Sequence, residues 1–318
     1  MKIAFVGKGG SGKSTISSFF VTHLVNSAQK IMAVDADINQ HFAQLVGARF
    51  DAAKALSANE NKTQIRTHLI GDNPRIVSPK HMIKTTPPGR GSMIVELTAS
   101  DHLLDRYATK FGDNAYFLHV GTYQKDEVGM SCYHTSLSVF ENVLSHTPAS
   151  ADDEWVVVDM VAGTDAFSGP LHAMFDAIFI VVEPTVESTS VYKQFIDLAT
   201  SSNVQDRVKI IANKVEDDDD VAYIRSQAGS DPVAVVSYDT TFRRQRRDGG
   251  RLSETSEVAS TMSLIDAVAR RMTLPADDHL SKLHDLHTIF AQQKFTVDKY
   301  GNTTGHIDTD FSFTAKNT

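Results

Sequence analysis

The chain has 318 residues, of which 41% are hydrophobic and 22% are charged, and this usage argues against a disordered or fibrous protein. A formal net charge of -8 disfavours a general nucleic-acid binder, because such proteins usually carry a basic excess. The single cysteine excludes an intrachain disulfide framework, and no apolar run approaches the roughly 18 to 20 residues of a membrane span. The N-terminus does not read as a signal peptide, so we expect a cytoplasmic protein.

Short apolar runs rich in β-branched residues alternate with longer segments of helical periodicity. The predicted strands are Ile3–Val6, Ile31–Val34, Met93–Leu97, Tyr116–Val120, Trp155–Val158, Ala177–Val182, Val208–Ala212 and Val233–Val236. The predicted helices are Lys13–Ala28, Thr135–Ser145, Ser188–Thr200, Asp219–Gln227 and Asp277–Gln293. Because most of these strands show little polar–apolar alternation, we expect them to be buried on both faces. The order predicts an α/β fold, with a doubly wound, mostly parallel sheet between two helical layers.

Two segments interrupt this alternation. Residues 55–92 are polar and rich in proline, and we interpret them as an irregular insertion or lid. Residues 293–318 are polar and rich in glycine and threonine, which predicts a hairpin turning near Gly301 or an adaptable tail. Residues 1–292 are then expected to form one domain, with the C-terminal extension outside it.

The strongest motif directly follows the first predicted strand and precedes the first helix. The run from Gly7 to Ser14 satisfies G-x-x-x-x-G-K-[ST], a phosphate-binding loop. Its backbone, through Gly9, Gly10, Ser11 and Gly12, is expected to surround phosphate oxygens. Lys13 is expected to reach the β- and γ-phosphates and the Ser14 hydroxyl to bind Mg²⁺, so ATP and Mg²⁺ are the predicted ligands.

Lys8 is a second lysine inside this loop, which an ordinary phosphate loop does not require. With it the sequence resembles the deviant Walker A P-loop ATPases, which include MinD and ParA positioning proteins, the nitrogenase iron protein and the CooC-type nickel-insertion ATPases. The likeness to the CooC type extends over roughly residues 1–270 and is carried by further runs: Val157–Met160, Ala162–Thr164, Val181–Thr185 and Asn213–Val215. The resemblance implies that Lys8 crosses a homodimer interface to the partner's nucleotide.

Asp35 and Asp37 stand at the carboxyl end of the second predicted strand, where α/β sheets bind ligands, and period 2 places them on one side. The resemblance implies that Asp37 orients the attacking water and that Asp35 lies near the hydration shell of Mg²⁺. An alternative is that both aspartates cap a helix.

Three residues further along the chain complete the predicted nucleotide site. Asp159 closes an apolar strand and is interpreted as the Walker B carboxylate, which binds Mg²⁺ through water. Gly163 suits a second switch loop near the γ-phosphate. The resemblance gives Asn213 the role of reading the adenine base; the alternative is a turn-forming asparagine.

The only cysteine, Cys132, occurs in a Cys-x-His pair with His134, where the CooC type has Cys-x-Cys. Two protomers would present two of each side chain, a set suited to Zn²⁺ and also able to hold Ni²⁺. The alternative is a small buried cysteine followed by a surface histidine. The missing thiol puts an inherited nickel role in doubt.

The sequence therefore predicts an ATP-hydrolysing dimerisation switch, with an unknown client protein that CooC suggests is a metalloenzyme undergoing maturation. The alternative is a MinD- or ParA-like positioning or partition protein, and a third possibility is a metabolic kinase on the same sheet. The basic run Arg243–Arg247 is open to nucleic-acid, partner or nucleotide contacts, or to a solvated helix face. Nucleic acid and membrane are not the expected partners.

Overall fold

In the computed structural model, residues 1–122, 133–149, 151–248 and 255–314 are described. Within these ranges eight strands form one sheet. The strands are β1 (Lys2–Gly7), β2 (Lys30–Asp35), β3 (Thr109–Gly112), β4 (Ala115–His119), β5 (Glu154–Asp159), β6 (Ala177–Val182), β7 (Val208–Val215) and β8 (Ala234–Ser237). Their order is β3-β4-β2-β5-β1-β6-β7-β8, and all neighbours pair in parallel except β3 with β4. The predicted doubly wound, mostly parallel sheet is confirmed.

Helices cover both faces of this sheet. They are α1 (Lys13–Asn26), α2 (Phe42–Val46), α3 (Asn59–Ile70), α4 (His102–Tyr107), α5 (Tyr133–Ser145), α6 (Leu171–Met174), α7 (Val186–Ser201), α8 (Asp218–Ala228), α9 (Thr240–Asp248), α10 (Ser256–Arg270), α11 (Ala276–Ala291) and α12 (Lys294–Tyr300). Ile3 and Phe5 of β1 pack in the core beneath α1, α2 and α10, whereas Ala4 and Val6 pack in the opposite core. The strand β1 thus has two buried faces, as its nearly continuous apolar sequence requires, whereas the edge strands β3 and β8 are partly exposed.

The prediction of a strand at Met93–Leu97 is wrong. These residues lie in a loop, where Val95 donates its backbone N–H to the His146 carbonyl at 2.9 Å and is buried. The structure has instead the short antiparallel strand β3 at the sheet edge. A buried apolar loop and a buried strand have the same sequence signature, so the assignment needed the pairing partner.

The insertion at residues 55–92 is more regular than predicted. Its first half contains α3, which buries Ile65, Leu69 and Ile70 against the sheet-facing core. The helix has few apolar residues because only one face touches the core, and this weak periodicity hid it in the sequence. The second half, from Gly71 to Ser92, is irregular apart from one short 3₁₀ turn, as expected.

The C-terminal extension is neither a hairpin nor a free tail up to residue 314. It forms α12, a 3₁₀ turn at Thr304–His306 and a segment that returns to the body. Asp308 is 2% exposed and receives hydrogen bonds from Arg90 Nε at 2.9 Å and Arg75 Nη2 at 3.3 Å. His306 also approaches Thr86. The extension and the irregular half of the insertion therefore pack on each other.

No helix in the described ranges is both long enough and apolar enough to cross a membrane.

Candidate functional site

A glycine-rich loop joins β1 to α1 and carries the predicted phosphate-binding motif. Gly12 directly precedes α1 with a φ of 96°, and a Cβ built on it would lie 2.2 Å from Asn213 Nδ2, so a larger residue does not fit. The helix begins with no side-chain cap and has no acidic residue in its first turn. Its unsatisfied N–H groups and the positive end of its dipole therefore face the loop, an arrangement that binds phosphate.

Four side chains that the sequence singled out lie together beside this loop. Lys13 Nζ is 2.5 Å from Asp37 Oδ2, and Ser14 Oγ donates a hydrogen bond to Asp159 Oδ2 at 2.6 Å. Asp37 follows β2 and Asp159 ends β5, two adjacent parallel strands whose carboxyl ends meet at this edge. With the loop glycines they line a cavity of about 170 Å³.

The two carboxylates of this cavity differ in their electrostatic surroundings. Burial raises the pKa of Asp159 to about 6, although Lys13 and the Ser14 hydroxyl act against the shift. Burial acts in the same direction on Asp37, but hydrogen bonds from Lys13 and Asn39 outweigh it and hold its pKa below the usual value. Asp37 is therefore ionised at neutral pH, whereas Asp159 carries negative charge that is poorly compensated.

Asp35 lies deeper than the sequence suggested. It is fully buried, and its oxygens accept hydrogen bonds from the Phe42 N–H at 3.0 Å and the Asp37 N–H at 3.1 Å. Burial, reinforced by the nearby Asp159, raises the pKa of Asp35 to about 8. It is not among the described residues that line the cavity. Asp35 thus anchors the segment after β2 that carries Asp37.

A second and larger cavity adjoins the first across Gly10 and Gly12. Its volume is about 640 Å³, and Asn213, Tyr238 and Phe242 are among the residues that line it. Apolar ring surfaces beside a polar amide suit an aromatic base. The two cavities together provide a polar compartment for phosphates and a partly apolar one for a nucleoside.

Asn213 and Lys214, at the end of β7, hold two successive carbonyls of the phosphate loop. Asn213 Nδ2 donates to the Ser11 carbonyl at 2.7 Å. Lys214 Nζ donates to the Gly10 carbonyl at 2.7 Å and to Glu183 Oε1 at 2.8 Å. This bond uses one of the two N–H donors of the Asn213 amide, and the other N–H and the carbonyl oxygen match the ring-nitrogen acceptor and the exocyclic amine donor of adenine.

The remaining predicted loop residues lie around these cavities. Lys8 is partly exposed, and its ammonium group contacts no acidic partner among the described residues. Gly9 is exposed, whereas Ser11 is buried. Gly163 donates its N–H to the Gly7 carbonyl at 3.0 Å, which places the predicted second switch against the phosphate loop.

Both side chains of the predicted interprotomer metal pair, Cys132 and His134, lie outside the described part of the structure. Elsewhere in the described ranges, no group of three or more His, Cys, Asp or Glu side chains is arranged to hold a metal ion. Of the basic run on α9, Arg247 lines the larger cavity, which favours the nucleotide-contact interpretation for that residue.

Sequence reasoning missed several residues of the site. Asn39 and His41 line the smaller cavity, and Lys214, Glu183 and Phe242 build or support the larger one. Asn39 was identifiable from the sequence, because an asparagine two residues after Asp37 can donate a hydrogen bond back to that carboxylate. The Lys214 contact had no local signal, since it joins residues 204 positions apart.

Comparisons with known proteins agree with this geometry. The family profile "ATPase MipZ" matches residues 3–82. The chain is 27% identical over 269 residues to an uncharacterized ATP-binding protein of Methanocaldococcus jannaschii, covering 83% of this chain and 96% of that protein. It is 26% identical over 250 residues to the carbon monoxide dehydrogenase accessory protein CooC of Rhodospirillum rubrum, covering 78% and 88%.

Among solved structures, a ParA family ATPase from Chlorobium tepidum superposes with a TM-score of 0.59 at 15% identity, covering 84% of this chain and 98% of that one. At this identity the likeness establishes the fold alone, and among the sequence relatives the Methanocaldococcus jannaschii protein is described as ATP-binding. In fold and in sequence the chain is therefore similar to P-loop ATPases of the ParA/MinD type, as the resemblance had indicated.

Proposed function

We propose that this ATPase is a dimerisation switch that assists the maturation of a metalloenzyme. The observation that carries the switch is the convergence of Lys13, Ser14, Asp37 and Asp159 on one cavity beside a loop that holds a second lysine, Lys8. What supports the accessory role is the similarity to CooC over 88% of that protein's length.

ATP binding begins with the competition between two anions for Lys13. The ammonium group lies on Asp37, and a γ-phosphate in the smaller cavity offers it more negative charge. When Lys13 turns to the phosphate, Asp37 keeps an ionised oxygen directed at the cavity. That oxygen accepts a hydrogen bond from water and orients it for in-line attack on the γ-phosphorus, giving ADP and phosphate.

The residues present fit Mg²⁺. Ser14 and Asp159 provide hard oxygen donors, and the raised pKa of Asp159 marks buried negative charge that a cation would compensate. When bound there, Mg²⁺ would supply positive charge that compensates the negative charge developing during phosphoryl transfer. Ser14 and Asp159 are the residues that would hold it, the carboxylate through water.

Lys8 couples ATP binding to dimerisation. Its side chain is at the surface of the loop, without an acidic partner in the described part of its own chain. In a two-fold dimer that closes over the nucleotides, it reaches the phosphates of the partner's ATP, so the dimer is stable only while triphosphate is bound. Hydrolysis then releases the partner and the client.

The test measures molar mass by light scattering with ATP and with ADP. In an Asp37→Ala background, which keeps ATP bound, we expect a dimer with ATP and a monomer with ADP. Adding Lys8→Ala should restore the monomer while ATP affinity changes little; Lys110→Ala, an exposed lysine on β3, serves as the matched control. A Lys8 variant that dimerises like the control would refute the crossing role.

The accessory role has a separate test. Metal analysis of the ATP-locked dimer, with Cys132→Ala beside it, should show bound Zn²⁺ or Ni²⁺ that the substitution removes. The alternative, a positioning or partition protein, draws on the ParA-like fold and predicts ATP-dependent sedimentation with DNA or flotation with lipid vesicles. Negligible metal in both proteins together with either attachment would favour that alternative.

A further inference from the structure

Asn39 is the neighbour that shapes the environment of Asp37. Its backbone N–H donates to Asp37 Oδ1 at 3.0 Å, and its side-chain Nδ2 donates to the same oxygen at 2.9 Å. The amide orientation is unambiguous, since an ionised carboxylate only accepts and the bond must come from the amide nitrogen. Asn39 also lines the smaller cavity.

The two oxygens of Asp37 therefore have different partners. Oδ2 is bonded to Lys13, the lysine that a triphosphate would draw away, whereas the bonds to Oδ1 from the described residues both come from Asn39. After Lys13 has moved, Asn39 is what keeps the carboxylate from rotating about χ2. A free carboxylate could adopt several rotations, and only some direct an oxygen to the attacking water.

We propose that Asn39 is a positioning residue for ATP hydrolysis: its side-chain amide fixes the rotation of the Asp37 carboxylate so that Oδ2 faces the attacking water. The inference rests on the proposed role of Asp37 as the water-orienting group. Asn39 needs no contact with the nucleotide for this role. Its role differs from that of Lys13, which leaves Asp37 to bind the phosphate.

The hydrogen bonds from Asn39 are also among the causes that hold the pKa of Asp37 low, after burial, which acts the other way, and the bond from Lys13. Once Lys13 binds the phosphate, the hydrogen bonds from Asn39 account for a larger part of the lowering of the Asp37 pKa. Asn39→Ala removes the side-chain bond and keeps the backbone N–H bond, so the pKa of Asp37 in the loaded enzyme should rise by part of the Asn39 contribution, and any loss of activity due to protonation of Asp37 should begin at a higher pH.

Steady-state hydrolysis of ATP by Asn39→Ala tests the proposal. We expect kcat to fall about tenfold while KM for ATP stays within about twofold, because the lost bond acts on the water-orienting group and not on nucleotide binding. The acid limb of the kcat–pH profile should move to higher pH. Asn39→Asp keeps the shape but replaces the donor by a second carboxylate, so both effects should be larger.

Asn59→Ala, an exposed asparagine at the start of α3 and distant in sequence from the site, is the matched control and should behave as wild type. The proposal is overturned if Asn39→Ala keeps the wild-type kcat and acid limb, or if it raises KM with kcat unchanged. The variant Asp37→Asn distinguishes a failure of the role of Asn39 from a failure of the role of Asp37. If that variant is inactive while Asn39→Ala is normal, only the role of Asn39 is lost; if it hydrolyses ATP normally, the assignment of Asp37 itself fails.

Discussion

Replacing Asp308 by asparagine tests whether the C-terminal extension is an integral part of the folded domain. The carboxylate is buried and accepts hydrogen bonds from Arg90 Nε at 2.9 Å, Arg90 Nη2 at 3.1 Å and Arg75 Nη2 at 3.3 Å. Asparagine keeps the shape of the side chain but loses the charge and one acceptor oxygen. The substitution therefore weakens the tie between the extension and residues 75–90 without creating a cavity.

The magnitude follows from the ionisation of Asp308. Hydrogen bonds from Arg90 are the main cause that holds the pKa of Asp308 at about 2, against an ordinary value of 3.8. A difference of nearly two units corresponds to about 2 kcal/mol of folding free energy. Because the Arg75 and Arg90 side chains are 37% and 58% exposed, water screens the pairs and we expect a loss of about 1 to 2 kcal/mol.

The stabilisation of the fold by Asp308 decreases as the pH falls. The pKa is lower in the folded protein, so the stabilisation is fully present above about pH 4 and disappears as the pH falls through about 2, with about half remaining at pH 3. Guanidinium unfolding at pH 7 and pH 3, together with hydrogen exchange of residues 301–314, measures this. Asp310→Asn is the control, because Asp310 is 71% exposed and should change stability by less than about 0.5 kcal/mol. Equal stability of Asp308→Asn and wild type at pH 7, or a gap that does not narrow at pH 3, would contradict the docked extension.

Three further substitutions address the site and the core. Gly12→Ala should abolish ATP binding in a calorimetric titration, because the new methyl group would overlap the Asn213 amide and the backbone is at positive φ; retained affinity would show that the loop adapts. Lys214→Met should weaken ATP binding several-fold by releasing the Gly10 carbonyl, with an unchanged dissociation constant counting against the support role. Burial raises the pKa of Glu141 to about 8, so this acid is neutral in the folded state at pH 7 but ionised when unfolded. Glu141→Gln should therefore raise the melting temperature at pH 7 and flatten its decline towards pH 8, and a lower melting temperature would indicate that the carboxylate is ionised and paired.

Much of the fold was predictable because its signals are local. A strand buried on both faces needs an almost continuous apolar run, so β1, β2, β5, β6 and β7 were recognised from short stretches of sequence. The phosphate loop was predictable for a similar reason. Glycines and a lysine at fixed spacing, between a strand and a helix, specify a backbone shape whatever the rest of the chain does.

Elements that depend on a distant partner were not predictable. The α3 segment has only a narrow apolar face, and Val95 is buried in a loop whose backbone partner is His146. The packing of the C-terminal extension depends on Asp308 meeting Arg90, a contact across 218 residues of sequence. No local pattern encodes which charged side chain will find which partner, because such pairing is decided only when the whole chain has closed.

The residues of the candidate site also fall into those that the sequence identified and those that only the folded structure revealed. The sequence alone identified Lys13, Ser14, Asp37 and Asp159. Each lies just at or after the carboxyl end of a predicted strand, and the carboxyl ends of parallel strands form one edge of the sheet. Folding alone determined that Asp35 is withdrawn into the core and that Lys214 supports the phosphate loop. Both depend on how close two separate strand ends approach, and that distance is a property of the packed sheet rather than of either segment.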